Sequence, residues 1–187
     1  MSMPSTDAAD ADLAAALAQV RVRAVHWRVV VLAFVVATLD GLDAQLLAFA
    51  APLLAPDLGI ARPMLGPVFS AALAGLAAGA VLFGPLGDRF GRRAVLIACT
   101  ALFGFGTLVT ALANDVSTLL ALRVLTGLGL GGALPNAVTL VAECAPARTR
   151  ALFITLMYMG FPAGGLLGAA AAGPLMAQWG WQGLFVA

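Results

Sequence analysis

Two aspartates and one arginine stand where a chain this apolar should have no charge. Asp40 and Asp43 lie in "VVATLDGLDAQLLAF", residues 35–49, and Arg123 lies in "LALRVLTGLGLGG", residues 120–132. A charge at the centre of a bilayer costs about 2.5–3.5 kcal/mol on insertion scales, so a charge kept there faces a partner or a polar cavity rather than lipid. Three residues apart on a helix, the two carboxylates share a face. An arginine can neutralise one of them, or receive a carboxylate from a bound anion. The carboxylate that it leaves unpaired is suited to carrying a proton. The plainer alternative is an ion pair that only fixes helix packing. A pair needs one carboxylate, however, and this face offers two.

The elements that must position these groups are membrane-spanning helices. The chain is 62% hydrophobic and 10% charged over 187 residues, with a mean hydropathy of +1.01. Soluble domains run nearer roughly 45–50% and about 25%. Uncharged runs recur at lengths near the ~20 residues that cross a bilayer. The alternating pattern of a barrel is absent, and open sheet edges cannot lie in lipid. The reading is an all-α membrane protein. Residues 1–25 form a polar, Ala-rich, cytoplasmic N-terminal tail, partly helical at the interface. Residues 26–187 hold five spans, near Val29–Leu53, Met64–Leu86, Arg93–Ala113, Val116–Val141 and Ala151–Gln178, with breaks at Pro162 and Pro174 in the fifth. A sixth starts at "WQGLFVA".

Depth and orientation follow from this division. At about 1.5 Å per residue, Asp40 and Asp43 lie about 16 and 21 Å from the inner boundary, and Arg123 about 10 Å from the outer one. All three fall at similar depth in the outer half of a core about 30 Å thick, where one polar cavity would account for them. All ten basic residues are arginine. Arg21, Arg23 and Arg28 precede span one; Arg89, Arg92 and Arg93 separate spans two and three; Arg148 and Arg150 separate four and five. Only Arg62 falls on the opposite side. The positive-inside rule then puts the N-terminus in the cytoplasm.

Other chemistry finds no support. Net charge is +1, which gives no electrostatic basis for binding nucleic acid. No metal-ligand cluster, serine-nucleophile motif or phosphate loop appears, so neither a cofactor nor an enzyme activity is expected. Cys99 and Cys144, in different predicted helices, are expected to be buried free thiols. Gly160, Gly164 and Gly168 recur every four residues, a small-xxx-small face for close helix contact. "TGLGLGG", residues 126–132, thins span four beside Arg123.

The most specific string is "GPLGDRFGRRAVL", residues 84–96. Its glycines permit a tight turn, and Asp88 can cap a helix or pair with Arg89, Arg92 or Arg93. Retention of positive charge at the cytoplasmic face is the plainer reading, but it requires no glycine spacing. The string resembles the loop between spans two and three of the major facilitator superfamily. "LALRVLTGLGLGG" resembles that superfamily's fourth-span arginine motif. "DGLD" in span one and "LPNAVTLVAECAPARTRA", residues 134–151, resemble the aromatic acid:proton symporter family.

That resemblance, over residues 27–187, implies specific roles. Asp40, Asp43 and Arg123 would serve substrate and proton coupling; of the two aspartates, the depth estimate, which puts Asp43 nearer the outer face and Arg123, favours Asp43 as the proton site. Gly84, Gly87, Asp88, Arg89, Gly91, Arg92 and Arg93 would form a gating loop. Glu143, with Arg148 and Arg150, would belong to a cytoplasmic charge network. The implied fold is the N-terminal six-helix half of a twelve-helix bundle, truncated at the start of helix six. The implied function is proton-coupled symport of hydroxybenzoate-like aromatic carboxylates across the inner (plasma) membrane. The partners are the aromatic carboxylate, the proton and the lipid bilayer, and a second six-helix half is needed to complete the site. The alternatives are a sugar, other metabolite or drug carrier of the same superfamily ("GFPAGG", residues 160–165, loosely resembles a drug-antiporter motif), or a non-transporting truncated membrane protein or sensor.

Overall fold

A computed structural model describes residues 22–57, 59 and 65–186. Helices α1 (Ala24–Asp57), α2 (Leu65–Phe90), α3 (Arg92–Thr110) and α4 (Val116–Cys144) are followed by α5 (Arg150–Tyr158), α6 (Gly160–Trp179) and the short α7 (Gly183–Val186). Helices α5 and α6 together form one span, Arg150–Trp179, so five stretches are long and apolar enough to cross a membrane. The described residues contain no strand.

Most of the expected tail, residues 1–21, lies outside the described residues, as do Arg21 and Arg62. The tail's boundary nevertheless moves, because α1 already starts at Ala24. Its entry is fixed by His26, whose Nδ1 accepts the Arg23 N–H at 2.8 Å. A side chain at the third helical position thus reaches back to the residue before the helix, as in a capping box. At the other end α1 runs past Leu53 through Pro52 and Pro56 to Asp57, held by the burial of Leu54 and Ala55.

The fifth span breaks, but earlier than expected. The interruption falls at Met159, and Pro162 sits in the first turn of α6, where a missing N–H does no harm. Proline remains the cause. Four residues before Pro162 is Tyr158, whose carbonyl loses the donor that a regular helix would supply. Pro174 lies inside α6 without ending it.

Two apolar cores divide the bundle. One joins Val30, Ala33, Val95, Cys99, Ala137, Val141, Phe153 and Met157. The other joins Leu46, Leu54, Val68, Leu119, Trp181 and Phe185. The helix ends that carry Arg23, Arg28, Arg89, Arg92, Arg93, Arg148 and Arg150 all flank the first core. At the second core's end, Trp181 Nε1 donates to Asp57 Oδ2 at 2.8 Å, tying the start of α7 to the end of α1.

Close approach of backbones builds two of the main helix pairs. A Cβ at Gly75 or Gly79 of α2 would strike the carbonyls of Val124 and Leu128 in α4. A Cβ at Gly127 or Gly131 of α4 would strike those of Ala72 and Leu76 in α2. Two small-xxx-small faces therefore meet each other. Helix α6 seats on α1 in the same way, with Gly160 and Gly164 against the carbonyls of Phe34 and Thr38. Gly168 continues the same buried face but sits less tightly: a Cβ there would lie 3.6 Å from Gln45 and from the Leu42 carbonyl, an ordinary contact.

Candidate functional site

Between the two cores, α1, α2 and α4 line a half-open cavity of about 200 Å³. Helix α1 contributes Asp40, Asp43 and Leu47. Helix α4 contributes Arg123, Thr126 and Leu130, and α2 supplies an apolar wall of Phe69, Leu73 and Leu76. The spacing of Asp40 and Asp43 puts both on the cavity side of α1, and each is 6% exposed. Gly41, on another face, lets α6 approach at Phe161. Gly127 brings α2 against α4 one turn from Arg123.

Arg123 is 1% exposed. Its Nη1 donates to Asp43 Oδ2 at 3.3 Å and Oδ1 at 3.4 Å. Its Nε and Nη2 donors, both buried, have no partner among the described residues. The Phe185 ring lies over the guanidinium, 5.1 Å from carbon to centroid, a cation–π contact. Leaving a buried donor unsatisfied costs about 1–3 kcal/mol. The Nε–H and Nη2–H bonds form one edge of the planar guanidinium, the fork that pairs bidentately with a carboxylate. Asp40 has no ion-pair partner among the described residues. The site thus holds one cation, one paired carboxylate, one carboxylate without an ion-pair partner among the described residues, and two buried guanidinium donors likewise without a partner, beside an apolar wall.

The second constellation lies at the Arg92 end. The segment expected as a loop is helical up to Phe90, and the connection is the single residue Gly91, φ +92°. Of the motif's glycines only Gly91 needs that left-handed freedom. Gly84 is helical, and a Cβ there would meet nothing. Arg92 is the hub. It pairs with Asp88, approaches Glu143 Oε1 at 3.8 Å, and donates through Nη1 to Asn136 Oδ1 at 3.3 Å and to the Gly84 carbonyl at 3.4 Å. Arg89 lies over Phe90 instead. Arg93, Arg148 and Arg150 are exposed, and none forms an ion pair with the described residues. Asp88, Arg92 and Glu143 are brought together, whereas the wider arginine set is not.

Sequence reasoning missed Asn136, Phe185 and the facing glycines of α2. "GLAAG", residues 75–79, carried the signal for the last of these. Asn136 was legible only as a polar residue inside an apolar run. Cys144, expected to be buried, is exposed because it ends α4 at the bundle's edge; Cys99 is buried, and both are free.

The described residues thus form a multi-helix bundle of membrane-spanning type, with a buried carboxylate–arginine cavity and a charge cluster at one end. The sequence places it among known proteins. Residues 33–187 match the Major Facilitator Superfamily, and the chain belongs to that superfamily. It is 48% identical over 161 residues to the 4-hydroxybenzoate transporter PcaK of Pseudomonas aeruginosa, covering 86% of this chain and 36% of that protein. It is 41% identical over 166 residues to a gallate transporter of Pseudomonas putida, covering 89% of this chain and 37% of that protein. It is 43% identical over 154 residues to the 3-(3-hydroxy-phenyl)propionate transporter of Escherichia coli, covering 82% of this chain and 38% of that protein. The chain thus spans little more than a third of the length of these relatives.

Proposed function

We propose that this chain supplies the N-terminal half of a secondary transporter that takes up aromatic carboxylates together with protons. The observation that carries the reading is the unpartnered Nε/Nη2 edge of buried Arg123, set beside an unpaired Asp40. A substrate carboxylate would complete that edge, and its ring would lie against Phe69, Leu73 and Leu76. The names of the relatives point to the same class of anion. A second six-helix half would close the site from the opposite side.

Charge balance supplies the coupling. Arg123, Asp40 and Asp43 sum to one negative charge. A substrate anion makes two, and one proton restores the starting value, so the loaded site carries no extra charge through the conformational change. Both oxygens of Asp43 already accept from Arg123, whereas Asp40 forms no ion pair among the described residues. The geometry therefore favours Asp40 over Asp43 as the proton carrier, a revision of the assignment made from depth and expected nearness to Arg123. The plasma membrane, with the N-terminus inside, is the setting proposed.

The test is uptake of labelled 4-hydroxybenzoate by the intact transporter in energised vesicles, with and without an uncoupler. Wild type is expected to concentrate the anion until the uncoupler is added. Asp40→Asn should lose concentration against a gradient but keep exchange, and Arg123→Ala should lose binding. Concentrative uptake by Asp40→Asn that the uncoupler still abolishes would remove Asp40 from the coupling. Uptake of a hexose in place of the aromatic anion would sink the substrate class.

A further inference from the structure

Gly87 and Asn136 lie on different helices, and the place of one accounts for the identity of the other. Asn136 is fully buried. Its Nδ2 donates to the Gly132 carbonyl of its own helix at 2.8 Å and to the Phe83 carbonyl of α2 at 3.1 Å. Both amide hydrogens are therefore committed to carbonyls, which turns Oδ1 toward Arg92. Aspartate could not donate those two bonds, and leucine could not accept from Arg92. A Cβ on residue 87 would fall on Asn136 Oδ1 and lie 3.0 Å from Arg92 Nη1.

We propose that Asn136 is a positioning residue: it fixes Arg92 at the seam of α2 and α4 so that one guanidinium reaches both Asp88 and Glu143, and Gly87 is the space this requires. The ionic partners are too exposed to do this alone. The side chains of Asp88 and Glu143 are 68% and 57% exposed, and ion pairs at such sites are weak. Asn136 is the buried, directionally fixed acceptor among them. It stands seven residues before Glu143, two turns along the same face of α4. Arg92 is thus gripped at two levels of one helix while it holds the last turn of α2. Three helix ends depend on one neutral amide.

This inference rests on the transport reading for its kinetic test only. In the intact transporter reconstituted in liposomes, Gly87→Ala, Arg92→Ala and Asn136→Ala should each slow 4-hydroxybenzoate exchange about tenfold, with the half-saturating concentration within about twofold of wild type. Each double variant should be no slower than its slower parent. Multiplicative losses, or an unchanged Asn136→Ala, would show that Asn136 does not act through Arg92. A second readout needs no substrate. Cys99 is buried beside Gly132 and Cys144 is exposed. Gly87→Ala should raise the labelling rate of Cys99 by N-ethylmaleimide about tenfold relative to Cys144, and Gly87→Ala with Asn136→Ala should bring it back toward wild type, because the amide that collides is gone. Failure of that reversal overturns the proposal even if wild type carries no aromatic anion. Reversal in a protein that carries none would overturn the transport reading alone.

Discussion

Asp43 and Asp40 are both buried carboxylates on one helix face, yet only the loss of Asp43 should lower stability. Asp43 neutralises Arg123. Removing one member of a buried ion pair typically costs about 3–5 kcal/mol, because the other charge stays behind. Asp43→Asn should therefore lower the melting temperature of the detergent-solubilised protein. Asp40→Asn removes an unpaired buried charge and should leave that temperature unchanged or raise it. Equal losses would mean that Arg123 leans on both carboxylates, contrary to the single ion pair seen here. The sequence made this trio visible because charge is rare in an apolar run, and helix rise placed the three at one depth. It did not reveal which aspartate meets the arginine: a three-residue step shifts a side chain by less than one turn, and only the packed positions of α1 and α4 decide. Phe185 and Asn136 were hidden for a different reason. A phenylalanine among apolar residues and a lone amide carry no charge penalty, so their roles depend wholly on what lies opposite.

Helices seated on glycine should tolerate methyl groups unevenly. A Cβ at Gly164 would collide with the Thr38 carbonyl and come within 2.8 Å of the Leu42 nitrogen. Backbone cannot swing aside, so Gly164→Ala should destabilise the bundle by about 1–3 kcal/mol, the usual range for overpacking. Gly168→Ala meets only contacts of 3.6 Å and longer and should keep wild-type stability. Thermal unfolding followed by fluorescent size exclusion separates the two, and a Gly168→Ala as damaging as Gly164→Ala would mean that the α1–α6 seam runs further than described. The entry to α4 gives a pH test. Asp115 Oδ1 accepts the Thr118 N–H at 2.8 Å and Oδ2 the Thr118 hydroxyl at 2.6 Å, which hold its carboxyl below the ordinary aspartate value of 3.8. A lowered value means that the cap contributes above pH 3.8 and fades as pH falls through the folded value. Asp115→Ala should lower the melting temperature at neutral pH, and that difference should close only on acidification below 3.8. Element positions were largely legible from hydropathy. The ends were not, because α1 continues through two prolines on the strength of packing, and the helix break that Pro162 causes falls at Met159, three residues before it.

At the scale of the whole molecule, the ends of the bundle differ in charge, and that difference fixes the orientation to be tested. The helix ends bearing Arg23, Arg28, Arg89, Arg92, Arg93, Arg148 and Arg150 all flank one core. The opposite end carries Asp57 and Asp115 and no arginine among the described residues. The asymmetry was readable from sequence once alternate loops were assigned to opposite sides, and the helix count that this required is the one found. Arginine near a span end is retained on the cytoplasmic side during insertion, so the Arg92 end should face the cytoplasm. The chain carries its own reporter, because Cys144 is exposed at that end whereas Cys99 is buried. In intact cells a membrane-impermeant maleimide should leave Cys144 unlabelled, and permeabilisation should make it reactive. Asn114, exposed in the turn between α3 and α4, lies at the other end. Asn114→Cys, with Cys144 replaced by serine, should label from outside without permeabilisation. Labelling of Cys144 in intact cells, with protection at position 114, would invert the molecule. The carboxylate cavity would then sit in the half of the membrane nearer the cytoplasm, and the proton would have to enter from that side.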